Sequence, residues 1–108
     1  MSSASGRQID PAQVRARLDA VIAEMKRLGI WELERPDSAP SPMELEAWLR
    51  WTFVPKIEAL LLSGGPWPEE SSVAVIAMRA ADANPPPTPE RVASLMASLD
   101  AFDALFEG

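Results

Sequence analysis

Cysteine, histidine and tyrosine are all absent from this chain of 108 residues. Without Cys or His there is no thiolate nucleophile, no Ser-His-Asp relay, no disulfide and no ordinary zinc, haem or iron–sulfur site. No cofactor is expected. Long apolar runs are missing as well, since none approaches the ~20 residues that span a bilayer. The start, Met1–Gly6, is small and polar and lacks the basic and apolar stretches of a signal peptide. Together these absences predict a cytoplasmic protein with no membrane contact. Positive charge is scarce: 10 Lys+Arg stand against 16 Asp+Glu, for a formal net charge of -6. Free-standing nucleic-acid binders are usually basic, which argues against that class.

What is present is proline, tryptophan and a regular apolar pattern. The chain has 11 prolines and 4 tryptophans, and 47% of its residues are hydrophobic. That length and apolar fraction suit a single core. A flexible N-terminal tail is expected over 1–8, with one domain over 9–108. The acid excess lies wholly in residues 41–108, because the cations and acids of residues 1–40 balance. A local basic strip along the first helix is therefore conceivable, although a solvated face of mixed charge is the preferred reading.

Several prolines stand where a helix should begin. Asp10-Pro11-Ala12-Gln13 reads as an N-cap, an N1 proline and a Gln reaching back to the cap, with Ile9 and Val14 as a staple. Val14, Leu18, Val21, Ile22, Met25 and Leu28 form one stripe, and Gly29 can end the helix in the left-handed conformation. A helix over about 11–28 follows. Residues 29–40 form a loop. Ser41-Pro42-Met43-Glu44 then reads as a second capping box, opening a helix to about Leu62. Apolar residues cover most of that helix, which makes it the expected centre of the fold. Pro55 lies inside it and predicts a kink near Trp51–Pro55. Pro68, Glu69 and Glu70 suggest a third helix over about 69–82, and Thr88-Pro89-Glu90 a fourth with Leu95, Leu99, Phe102 and Phe106 inward. The expected fold is all-α: a four-helix bundle with a proline-kinked central second helix.

Carboxylates are the only catalytic material in quantity, in the pairs Glu44 with Glu46, Glu69 with Glu70, and Asp100 with Asp103. Adjacent or near-adjacent acids on a helix face different ways and make poor acid–base dyads. Nor is there a phosphate loop, because Ser63-Gly64-Gly65-Pro66 lacks the Lys and the helical Ser/Thr. No catalytic, cofactor or metal residues are assigned. The tryptophans remain. Burying one is worth ~4–6 kcal/mol, so each belongs in the core or beneath a partner. Trp48 is read as core. Trp51 is open between core and surface, while Trp31 and Trp67 are read first as plugs at the bundle ends and second as interface anchors. Arg50 and Lys56 flank Trp51–Pro55, where cations beside an aromatic could meet a partner or RNA. The candidate partner surface is Trp31, Arg50, Trp51, Pro55, Lys56 and Trp67.

The segment Ala47-Trp48-Leu49-Arg50-Trp51-Thr52-Phe53-Val54-Pro55-Lys56-Ile57 resembles the EWLQW-x-x-IPRM segment of the YqcC-like family of small bacterial proteins. The N-terminal helix ending near Trp31 and the terminal Leu99–Phe106, similar to the family's LDALF ending, extend the likeness over nearly the whole chain. Arg50 stands for the usual Gln and Ala47 for the usual acid, and Val75–Met78 lacks the family's aromatic in the third helix. The resemblance implies an all-α bundle of unestablished activity, often encoded beside tRNA pseudouridine synthase C. The leading expectation is a non-catalytic accessory or interaction module whose partner is a tRNA pseudouridine synthase or its complex. Direct tRNA binding through Arg15, Arg17, Lys26, Arg27, Arg50 and Lys56 is the first alternative. A small-ligand-binding bundle or carboxylate enzyme is the second. A homodimer burying Trp51 or Trp67 is compatible with all three.

Overall fold

The computed structural model describes residues 9–68 and 71–106. The expected tail over 1–8 and the acids Glu69 and Glu70 lie outside the described residues. Helix α1 runs Pro11–Arg27. Asp10 caps it alone: Oδ1 accepts from the Ala12 amide at 3.0 Å, and the Gln13 side chain takes no part. Gly29, at φ 80°, turns the chain into a 3-10 turn, Ile30–Glu32.

The second helical rod is continuous but changes register. It consists of α2, Leu45–Trp48, a π turn, Leu49–Phe53, and α3, Val54–Ser63. In the π turn the Val54 amide donates to the Leu49 carbonyl, five residues back. The widened turn sits immediately before Pro55, whose ring would crowd the carbonyl four residues earlier in an α-helix. The expected kink is thus realised as a π turn, and α geometry resumes at once.

Two expected starts are shifted. Ser41–Glu44 does form half a capping box, with the Ser41 amide donating to Glu44 Oε1 at 3.0 Å. That segment closes a turn of its own, the Glu44 amide bonding Ser41 O at 2.9 Å. Glu44 then leaves helical dihedrals (φ -91°, ψ 64°), so the rod begins at Leu45 rather than Pro42. Helix α4 begins at Val73 and ends at Ala83. Two of its first amides are capped from another helix: Asp103 Oδ1 accepts from Val73 N at 3.0 Å and Oδ2 from Ala74 N at 2.8 Å. Ser71 Oγ donates to the same carboxylate. Helix α5, Pro89–Ala104, starts where its proline predicts.

The described residues are helical and contain no strand, as an all-α bundle requires. α5 packs against α1 and α4, and α1 also meets α3. The core joins Val14, Leu18, Val21 and Met25 to Leu49, Phe53, Val54 and Ile57, with Ala77, Leu95, Leu99 and Phe102 closing it. A chain of rings crosses it, from Trp48 to Phe53 (6.0 Å between centroids) to Phe102 (5.2 Å) to Phe106 (5.4 Å). The second rod is not the most buried, contrary to its apolar circumference. Trp51 is only half-buried and Leu62 is 91% exposed, because the rod meets neighbours on one side while α1 buries a full stripe.

Asp103 is the one charged side chain buried among the described residues. Replacing it by Ala strips an acceptor from two helix amides and a hydroxyl at once, a loss expected to cost about 2–4 kcal/mol. At roughly 4–8 °C per kcal/mol for a domain of this size, thermal melting should show a drop of about 10 °C or more. Asp103→Asn, which keeps one acceptor oxygen, should lose less.

Candidate functional site

The π turn places Arg50 and Trp51 side by side against the Gly29–Arg35 segment. A wider turn diverges neighbouring side chains less than an α turn does, so both reach the same stretch of backbone. Arg50 Nε donates to the Trp31 carbonyl at 2.9 Å, and Trp51 Nε1 donates to the Leu33 carbonyl at 3.1 Å. Two successive side chains thus hold the alternate carbonyls of Trp31, in the 3-10 turn, and Leu33, just after it.

Around these bonds stands a stack of cations and indoles. The Arg50 guanidinium carbon lies 3.9 Å from the Trp31 ring centroid and 4.1 Å from that of Trp51. Lys26 Nζ lies over Trp31 at 5.4 Å, and the Arg35 guanidinium over Trp51 at 5.9 Å. Such contacts are worth ~0.5–2 kcal/mol each, increasing as water is excluded. None of the three cations pairs with a described carboxylate. Glu46 stands four residues before Arg50, the favourable orientation for a helical ion pair, yet no pair forms, because Arg50 is drawn to Trp31.

Of the six candidate surface residues, the structure brings together Trp31, Arg50 and Trp51. Pro55, Lys56 and Trp67 are not part of the stack. Pro55 shapes the turn beneath it, and Lys56 is exposed without an ion pair among the described residues. Trp67 packs on the core, as the plug reading expects. Trp48 does so too, and Trp31 both touches the core and bears the cations. Lys26 was legible only as part of a basic strip, and Arg35 was missed. No local pattern marked it, because its contact with Trp51 joins segments distant in the chain. The strip itself is broken: Arg15 bonds Asp19 at 2.9 Å and Arg27 bonds Glu24 at 2.7 Å.

Beside the stack lies an apolar groove of about 510 Å³, within the size of small-molecule sites. Ile30 and Leu33 form one wall, Met43, Leu45 and Leu49 a second, and Pro85–Pro87, Leu95 and Met96 a third. Glu44, Glu46 and Asn84 supply its polar lining. The carbonyls gripped by Arg50 and Trp51 belong to the same segment as Ile30 and Leu33, so the stack fixes that wall. Glu44 and Glu46 both line this groove, whereas Asp100 is exposed and Asp103 caps α4. Among the described residues no three acids gather where a metal could sit, and no helix is long and apolar enough to cross a membrane.

Removal of the Arg50 clamp should loosen the loop before it affects the core. In Arg50→Ala, hydrogen exchange of residues 30–35 is expected to quicken while the α1 amides keep their protection. Trp51→Phe removes one side-chain hydrogen bond and should lower stability by about 1 kcal/mol in a denaturant titration.

Comparison with known proteins adds a family. An uncharacterised protein of Haemophilus influenzae is 30% identical over 71 residues, covering 56% of this chain and 66% of the relative. No solved structure matches the chain. Residues 13–105 match the DUF446 family, whose description reads tRNA pseudouridine synthase C. The match takes in nearly all of α1, the π turn, the stack and all of α5, and the chain belongs to this small, uncharacterised family.

Proposed function

We propose that the protein is a non-catalytic accessory module that associates with a tRNA pseudouridine synthase, or with that enzyme's tRNA complex. The single observation that carries this reading is the Lys26–Trp31–Arg50–Trp51–Arg35 stack. Tryptophan and arginine are the residues that most often anchor protein interfaces. Here three cations are assembled at the surface without an internal counter-charge among the described residues. The family description, which names tRNA pseudouridine synthase C, supports taking that enzyme as the partner, and the likeness to YqcC-like proteins points the same way. Both are context, and neither assigns chemistry to this chain. The cytoplasm, where tRNA is modified, is the compartment the reading requires.

Sedimentation of the purified protein with the tRNA pseudouridine synthase C of its own source should yield a joint species. Deletion of the chain in that source should lower the pseudouridine content of the enzyme's tRNA target. If the two proteins sediment separately with and without tRNA, and pseudouridine is unchanged, the reading fails.

A further inference from the structure

We infer that Arg50 is a docking fork for a carboxylate of the partner protein, set beside an apolar groove that takes the partner's neighbouring apolar side chains. This rests on the accessory reading and specifies what the partner must present. A guanidinium has five N–H donors in a rigid planar fork suited to bidentate carboxylate binding. In Arg50 one donor is committed, from Nε to the Trp31 carbonyl, and no described residue accepts from the other four. The committed bond and the two indoles hold the fork before any ligand arrives. Such preorganisation removes much of the entropic cost of ordering an arginine on binding. Lys26 and Arg35 add positive charge on either indole. The groove shares the Ile30–Leu33 wall, so charge and apolar surface are presented together.

The same features favour a protein carboxylate over RNA. Recognition of unpaired bases depends on stacking against open aromatic faces. Here two cations lie over each indole. Glu32 and Glu34 lie on the facing segment and Glu46 one turn away, within a chain of net charge -6. A polyphosphate backbone, with a charge on every nucleotide, would meet more of this repulsion than one carboxylate flanked by apolar groups.

The test uses the full chain with three probes: the synthase without tRNA, a 12-residue amphipathic peptide of Glu and Leu, and a 12-nucleotide oligouridylate. Tryptophan fluorescence reads binding, and circular dichroism confirms that each variant is folded. Wild type should bind synthase and peptide but not the oligouridylate, with affinity falling as salt rises. Arg50→Gln should weaken both complexes at least tenfold. Arg50→Lys, which keeps the charge but not the fork, should weaken them as well, and Lys56→Gln should leave them unchanged. A Gln-for-Glu peptide should not bind. Synthase binding that survives Arg50→Gln overturns the fork while leaving the accessory reading intact. Failure of the synthase to bind both without tRNA and in its tRNA complex, with Arg50-dependent binding of the peptide, overturns the accessory reading and upholds the fork. Arg50-dependent binding of oligouridylate without peptide binding overturns the carboxylate in favour of RNA phosphate.

Discussion

Pro55 has no amide hydrogen, and its ring cannot lie against the carbonyl of the preceding turn in a regular helix. A helix carrying the core residues Leu49, Phe53, Val54 and Ile57 must nevertheless pass through this position without separating from its neighbours. The π turn over Leu49–Phe53 is the adjustment that keeps the rod continuous. Its side effect is to swing Arg50 and Trp51 together onto the Gly29–Arg35 segment. The two carbonyl clamps, the stacked cations and the position of the groove wall all follow from that adjustment. A backbone irregularity imposed by one proline is therefore the origin of the candidate site.

Asp103 serves the other half of the molecule. A helix beginning at Val73 with a preceding Ser72 that makes no side-chain cap leaves its first amides in want of an acceptor. The carboxylate from α5 meets two of them and carries a favourable charge to the positive end of the helix. The bond fixes α4 to α5 in register, and α4 in turn places Ala80 and Ala81 on the far side of the groove. Asp103, one of the paired carboxylates of the sequence, is thus accounted for by architecture.

These two devices separate structural charge from available charge. Arg15 and Arg27 are tied to acids on their own helix, and Asp103 to amides. Lys26, Arg35 and Arg50 are gathered over indole rings instead, where their charge is held in place without being neutralised. A chain poor in positive charge overall can therefore still present a concentrated positive surface.

Elements whose signals are local could be read directly from the residues. Asp10 and Pro11 begin α1, Gly29 and Gly64 end helices at positive φ, and Pro89 begins α5, because caps and fixed φ act within one turn. The apolar stripes of α1 and α5 were equally legible, since their periodicity records which face is covered. Trp31, Arg50 and Trp51 could be named as candidates but not as neighbours. Only the tertiary structure decided that a π turn rather than a simple bend absorbs Pro55, that Asp103 starts α4 from 30 residues away, and that Arg35 completes the stack. Each of these depends on a contact between segments distant in the chain, and such contacts leave no periodic trace in the residues that make them.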